Sequence, residues 1–444
     1  MPERPNILFI FTDQQTAEAM SGAGNGDLQT PAMDRLATEG VRFERAYCAQ
    51  PLCTPSRASL FTGLMPHQTG APRNEMPIAE HLRPREMGNL FAAAGYECAY
   101  GGKWHVPGLT IQDGHGFRRI SPAVSQRPNL DGGDDHLVEA CKAFLREPRG
   151  RDRPFLLVAS FDNPHNICEY AKGRNLPQGS IPPAPPVEAC PALPANFGVP
   201  AHEPEAIRFE QSAAPDIYPT AAYTADDWRR YRWAYCRLVE KVDGLIGQVL
   251  GVLEETGRKG STLVVFSSDH GDGQGAHQWS QKCVLYEESV RVPLIVRAPS
   301  SAHGGFVDRE HLVSNGLDLL PTLCDYAGIE PPPGLEGRSL RPLVEGDPSA
   351  PWRDELVTET VFDGDRGRAT RGRMLRTRRY KYVVYHWGRF REQLFDLDRD
   401  PGEMVNLAAA PSHADVLNDH RRRLADWCRR TGDDPKPWTQ GDAK

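Results

Sequence analysis

The stretch Pro5-Asn6-Ile7-Leu8-Phe9-Ile10-Phe11-Thr12-Asp13-Gln14 decides how the rest of the chain is read. Its apolar part shows no polar–apolar alternation. That marks a strand covered on both faces, as in a parallel sheet between helices. It then breaks into Thr12-Asp13-Gln14, polar groups at the carboxyl end of a strand, where open α/β sheets place their ligands. Similar apolar runs occur at 97–100, 155–160, 262–267 and 294–297 and read as further parallel strands. Helical patterns lie between them. In 228–255, Tyr231, Tyr235, Leu238, Val242, Leu245, Val249 and Val252 step by three or four, and 318–326 is followed by Gly328 as a stop. The expected fold is α/β, with a large, mostly parallel central sheet flanked by helices.

From about 351 the texture changes. Segments 355–361, 374–385 and 392–397 read as strands, and 413–430 as an amphipathic helix. The expected organisation is therefore a catalytic α/β domain over 1–350 and a smaller antiparallel α+β subdomain over 351–444. The first carries a proline-rich insertion at 166–219. Within it, 11 of the 39 prolines fall in the 43 residues 177–219, a density that argues against regular structure there.

Composition narrows the function. With 444 residues, 39% hydrophobic and 25% charged, the chain can bury a sizeable core and is not globally disordered. Mean hydropathy is −0.53, and no run approaches the roughly 18 apolar residues of a membrane span. A net charge of −7 argues against nucleic acid as the main partner, while leaving room for a local basic pocket. Ten cysteines are too sparse for a disulfide scaffold and show no paired CxxC that would hold zinc. Met1-Pro2-Glu3-Arg4 leads straight into the apolar run without the pattern of a signal peptide, so a cytoplasmic location is expected.

Four strands deliver chemistry-bearing residues to one edge: Thr12-Asp13-Gln14, Gly101-Gly102-Lys103-Trp104-His105, Asp162-Asn163-Pro164-His165 and Asp269-His270-Gly271-Asp272. Any one alone reads equally well as a cap or turn; four together point to one site. Asp13 and Asp269 are hard oxygen ligands for Ca²⁺, Mg²⁺ or Mn²⁺, and His270 with the Gln14 carbonyl could complete the shell. Lys103, His105, His165 and Lys282 add cationic or proton-transferring groups. A divalent metal ringed by cations suits a tetrahedral oxyanion whose leaving group gathers charge. In Cys53-Thr54-Pro55-Ser56-Arg57, Pro55 suits the first turn of a helix, which places Cys53 just before a helix N-terminus. On the residues alone, Cys53 is either a reactive thiol or a buried structural one.

Cys53-Thr54-Pro55-Ser56-Arg57, with Leu60 and Thr62-Gly63 following, resembles the signature of the formylglycine-dependent sulfatases of the alkaline phosphatase superfamily. Similar in family order are Pro5-Asn6-Ile7-Leu8-Phe9 through Asp13, Gly102-Lys103-Trp104-His105, Asp269-His270-Gly271, and Lys282 with Tyr286-Glu287 and Arg291-Val292-Pro293. Leu394-Phe395-Asp396-Leu397, Asp400-Pro401 and Asn406-Leu407 match the family's end. The resemblance covers nearly the whole chain except the region 177–219.

The resemblance implies that Cys53 is oxidised to formylglycine by a formylglycine-generating enzyme. Of the two hydroxyls of its hydrate, one attacks sulfur and the other later expels sulfate. It further implies that Asp13, Gln14, Asp269 and His270 hold the metal, Ca²⁺ first and Mn²⁺ or Mg²⁺ otherwise. Arg57 orients the hydrate, and Lys103 and Lys282 hold sulfate oxygens. His105 takes the hydrate proton, and His165 protonates the leaving alcohol. Asn74 also reaches the sulfate or is a turn residue. Gln14 and His270 depart from the commoner family pattern and resemble the branch of choline sulfatases and phosphonate monoester hydrolases. The reading is a sulfuric ester hydrolase acting on a sulfated carbohydrate. The alternatives are a phosphonate monoester or phosphodiester hydrolase on the same scaffold and, less favoured, a non-catalytic carbohydrate-binding relative.

Three features stay open. His277, five residues before Lys282, lines the pocket or is structural. Eight of the 16 residues 366–381 are Arg or Lys, forming either a groove for a polyanionic chain or a solvated strand face. The segment after His165, with Glu169, Tyr170, Arg174 and Asn175, either walls the leaving-group side or packs over the surface and mediates subunit contact; an oligomer is compatible with the second.

Overall fold

The N-terminal apolar run forms β1 (Asn6–Asp13), a central strand of an eight-stranded sheet. The computed structural model describes residues 4–121, 133–148, 153–177, 179–299, 303–347, 349–362 and 368–439. In chain order the other strands of this sheet are β2 (Val41–Phe43), β3 (Glu97–Gly102), β4 (Arg118–Arg119), β5 (Phe155–Pro164), β6 (Thr262–Ser268), β7 (Leu294–Arg297) and β8 (Phe306–Asp308). Their spatial order is β4-β3-β5-β1-β6-β7-β2-β8. The five strands β4-β3-β5-β1-β6 are parallel to one another.

Strand β7 corrects the expectation of a parallel strand at 294–297: it is antiparallel to both β6 and β2. The reason lies in the connection. After β6 the chain stays at the sheet edge through 269–293, with only a 3-10 turn at Ala276–Gln278 and the short helix Glu287–Val290 and no crossover helix, so the next strand runs back.

The unbroken apolar run of β1 is explained by two cores. Ile7, Phe9 and Phe11 face one layer, with Leu60 and Phe61. Leu8 and Ile10 face the other, with Tyr235, Leu238 and Val242. Each such side chain, fully buried, contributes roughly 1.5–3 kcal/mol.

The helices that matter below are α1 (Cys53–Thr62), α2 (Asp134–Arg146), α3 (Glu205–Ala213), α4 (Ala225–Glu255), α5 (Asn315–Ala327) and α6 (Ala414–Thr431). In α4, the Thr224 hydroxyl accepts the Asp227 N–H while the Asp227 carboxylate accepts the Thr224 N–H, a reciprocal N-terminal cap. All ten residues of α1 are buried, so it is wrapped by α5 and the sheet and carries no polar stripe.

The C-terminal part is a four-stranded antiparallel sheet, β9 (Glu355–Val361), β10 (Arg371–Thr377), β11 (Tyr380–Tyr385) and β12 (Glu392–Asp396), covered by α6. Residues 374–385 thus divide into a hairpin that turns at Arg378-Arg379. Helix α3 corrects the expectation that 177–219 lacks regular structure. No proline falls between Pro204 and Pro215, and Ala206, Ile207 and Glu210 are buried. Gln178 of the insertion and Arg366 of the basic run lie outside the described residues. Among the described residues no helix is long and apolar enough to cross a membrane.

Candidate active site

The carboxyl ends of β1, β3, β5 and β6 meet the N-terminus of α1. Cys53 is the first residue of that helix and is fully buried. Pro55 lies in the first turn, and the exposed-donor problem of a helix start is met at Thr54, whose N–H is accepted by Asn74 Oδ1 at 3.1 Å. Asn74 therefore touches the helix that carries Cys53 through its side-chain carbonyl.

Around Cys53 Sγ stand Lys282 Nζ at 2.9 Å, His270 Nε2 at 3.4 Å and Asp13 Oδ1 at 3.8 Å, with a hydrogen bond to His165. Burial and the Asp13 charge push the Cys53 thiol up. Lys282, Lys103 and His270 outweigh them, and it lies well below the ordinary thiol value.

Arg57, one helical turn after Cys53 on α1, is wholly buried and ties the two acids together. Its Nη2 is 2.9 Å from Asp13 Oδ2 and its Nε 3.0 Å from Asp269 Oδ2. Nη1 donates to the Lys103 carbonyl and the Ser160 hydroxyl. Lys103 follows Gly102, where φ is +88° and an added Cβ would lie 1.9 Å from the Ser160 carbonyl, so only glycine permits this turn. The Lys103 amine then sits between Asp13 Oδ2 at 2.8 Å and Asp162 Oδ1 at 2.9 Å.

The donor set fits a cation. His270 Nδ1 lies 3.0 Å from the Gly271 carbonyl, so that nitrogen carries the proton and Nε2 presents a lone pair. That lone pair faces Asp269 Oδ1 at 3.6 Å and Asp13 Oδ1 at 3.8 Å. One ligand atom each from Asp13, Cys53, Asp269 and His270 lies within 4.8 Å of the others. Burial and the Asp13 charge push Asp269 up to about 6. Burial pulls His270 down, but the Asp269 charge outweighs it and raises that imidazole. Asp13 beside them is pushed up by burial but held well below the ordinary carboxylate range by Lys103, His165, Lys282 and Arg57.

Gln14 is placed differently. Its Nε2 donates to Asp272 at 2.8 Å, and its Oε1 accepts Lys282 Nζ at 3.1 Å. Asp272 is the hub behind it, also accepting the Tyr231 hydroxyl and the Gln281 N–H. Cys168 lies against the same amide, and burial pushes its thiol up to about 12.

His105 has a left-handed backbone, φ +53°, and its carbonyl accepts the Thr54 hydroxyl at 2.5 Å. Its Nδ1 is buried with no hydrogen-bond partner among the described residues. His165 is held below the ordinary imidazole range by burial, Lys103 and Lys282. His277 is elsewhere: it stacks on Tyr286 with centroids 3.8 Å apart and gathers with Glu288 and Glu403. Sequence reasoning named Asp162 and Asp272 as strand-end residues without giving them roles. Their position directly after β5 and β6 was the available signal.

A family model described as Sulfatase matches residues 5–329, and one described as N-sulphoglucosamine sulphohydrolase, C-terminal, matches 275–430. The chain is 33% identical to the Delta 4,5-hexuronate-2-O-sulfatase of Bacteroides thetaiotaomicron, covering 97% of this chain and 90% of the relative. The solved structure of a 2-O GAG sulfatase superposes with a TM-score of 0.85 at 30% identity, over 98% of this chain and 96% of the other. The phosphonate monoester hydrolase of Agrobacterium radiobacter shares the fold, with a TM-score of 0.75 at 24% identity, over 96% of each chain.

Proposed function

Because this chain belongs to the sulfatase family, a family of sulfate ester hydrolases, we propose that its substrate is a sulfated carbohydrate, with a 2-O-sulfated hexuronate the first to test. The observation that carries the site assignment is the arrangement around Cys53, a depressed thiol beside a lysine, at the centre of a ring of metal-ligand atoms. The carbohydrate assignment rests on the hexuronate sulfatase and 2-O GAG sulfatase relatives.

In this reading Asp13, Asp269 and His270 hold a divalent cation, Ca²⁺ before Mn²⁺ or Mg²⁺, and Gln14 joins them by turning its carbonyl from Lys282. When bound, the cation polarises the sulfate group as a Lewis acid. Formylglycine made from Cys53 supplies the nucleophilic hydroxyl. Arg57 keeps both carboxylates aimed at the centre. Lys282, 2.9 Å from Cys53 Sγ, and Lys103 hold sulfate oxygens. Asn74 holds the first turn of α1 in place. His105 accepts the nucleophile's proton at its unpartnered ring. His165 gives a proton to the leaving alcohol, and the anionic sulfate raises its affinity for that proton on binding. The ten cysteines are all unpaired and buried, in keeping with a reducing compartment, which in this reading is the cytoplasm.

The test is a parallel assay of 2-O-sulfated unsaturated uronate disaccharide, 6-O-sulfated glucosamine, an aryl sulfate and an aryl phosphonate. The uronate sulfate is expected to show the highest kcat/KM. Faster turnover of the phosphonate than of every sulfate would move the chain to the phosphonate-hydrolase reading.

A further inference from the structure

The basic run at 366–381 divides once its contacts are known. Most of its described members are already paired within the chain. Arg373 pairs with Asp433 at 2.9 Å and Glu359 at 3.4 Å. Arg376 Nε donates to the Tyr47 hydroxyl, and Lys381 lies between Glu403 and Glu287. Arg378 pairs with Glu310 and Arg379 with Asp396. Two remain. Arg368 and Arg371 are exposed and have no ion pair among the described residues.

Arg368 is held in place although its charge is unmatched. Its guanidinium carbon lies 4.4 Å from the Trp387 ring centroid and 5.3 Å from that of Phe209. Those rings meet edge to face at 5.1 Å. The buried Glu210 carboxylate accepts the Arg368 backbone N–H at 3.1 Å and the Thr370 hydroxyl at 2.5 Å. The Trp387 indole N–H donates to that same hydroxyl at 2.8 Å. Glu210 thus fixes the backbone of the turn, while the rings fix the plane of the guanidinium. Stacking covers the face of a guanidinium and leaves its edge donors, which match a sulfate or carboxylate, free.

The platform is linked to the catalytic centre on two sides. The Thr360 hydroxyl donates to the Cys283 carbonyl, next to Lys282, and the Phe362 N–H to the Thr370 carbonyl. Phe209 belongs to α3, whose Gln211 side chain donates to the Gln278 carbonyl in the segment leading to Lys282.

We propose that Arg368, with Trp387 and Phe209 beneath, forms an accessory subsite for an anionic group on a neighbouring unit of an oligosaccharide substrate. This rests on the carbohydrate reading and adds that the substrate is a chain bearing a second acidic group.

The test uses the full chain with Arg368→Gln and Arg368→Lys, after checking that Tm is unchanged. With a sulfated monosaccharide, each variant should equal wild type. With a sulfated uronate-containing tetrasaccharide, Arg368→Gln should raise KM about tenfold at unchanged kcat, the loss expected for one charge-assisted contact. Arg368→Lys should fall between, because it keeps the charge and loses the fork. Inhibition by a desulfated, carboxylated tetrasaccharide and by a sulfated, neutral-backbone one separates the two anions. Equal kinetics of wild type and Arg368→Gln on the tetrasaccharide, or an equal loss on both substrates, overturns the subsite. Retention of Cys53→Ala on an immobilised sulfated oligosaccharide, with and without Arg368→Gln, decides the matter independently of turnover. If wild type cleaves no saccharide, the carbohydrate reading fails; if Arg368→Gln leaves retention unchanged, the subsite fails.

Discussion

As inventories of residue types, the cluster around Cys53 and the cluster of His277, Glu288 and Glu403 are alike. Each gathers a buried histidine with buried or half-buried acids, and in each the ligand atoms lie within 4.8 Å of one another. They differ in what already stands between those atoms. In the first, no side-chain nitrogen donor among the described residues links His270 Nε2 to the carboxylates; the Cys53 thiol stands between, 3.4 Å from His270 Nε2 and 3.8 Å from Asp13 Oδ1, and Arg57 grips both aspartates from behind. In the second, Asn196 Nδ2 donates to Glu288 at 2.8 Å and lies 3.4 Å from His277 Nε2. The Lys381 amine takes Glu403 at 2.7 Å. Burial, Lys381 and Arg208 push His277 down to about 3, so it stays neutral. Hydrogens fill the second cluster, which joins the insertion, the main sheet and the C-terminal sheet as a brace. In the first, Lys103 and Arg57 hold the outer carboxylate oxygens, while the inner oxygens and His270 Nε2 converge on the Cys53 sulfur, an arrangement that suits a cation. Residue type proposes a metal centre; the placement of donors decides it.

Substitutions should therefore act in opposite ways at the two clusters. Cys53→Ala should abolish turnover with Tm within a few degrees of wild type; retained turnover would remove Cys53 from the chemistry. Asp269→Ala should lower kcat by at least about 100-fold and eliminate divalent-ion binding by calorimetry. Glu403→Gln should leave ion stoichiometry as in wild type, and a drop in it would erase the distinction drawn here. Lys381→Met strands two acids in the interior and should cost about 3–5 kcal/mol of stability in denaturant unfolding, with kcat of the folded fraction retained. The smallest effect concerns pH. His165 has its free-site value lowered by burial, Lys103 and Lys282. The protonated form that serves the leaving alcohol is lost as pH rises through that lowered value. The falling limb of kcat/KM should lie below about 6.5, the ordinary imidazole value, and vanish in His165→Asn.

Much of the active-site cluster was legible because it stands at strand ends. Asp13, Lys103, His165 and Asp269 each follow an apolar run, and a run covered on both faces leaves little doubt where it stops. Strand direction was not legible at 294–297, since four apolar residues read the same both ways and only the missing crossover reverses them. Helix α3 was hidden by averaging prolines over 43 residues, although Glu205–Ala213 contains none. His277 could not be placed by its proximity in sequence to Lys282. Between it and Lys282 the backbone enters left-handed conformations at Gln278 and Gln281, and the imidazole faces Tyr286 instead of Cys53. The basic run could not be divided from sequence, because the partners of Arg373 and Lys381 lie as far away as Asp433 and Glu287.

None of the ten residues of α1 reaches solvent, and Cys53 has 0% exposure. A second protein that oxidised this thiol would need the surrounding residues extended and outside the fold. Its opportunity closes when the sheet and α5 enclose the helix. In the proposed reading, maturation is a race against folding, run once per chain. Two preparations of identical sequence would differ in the share of molecules that ever became enzymes, with the same KM and different specific activity. Conditions that delay collapse of the nascent chain would raise that share.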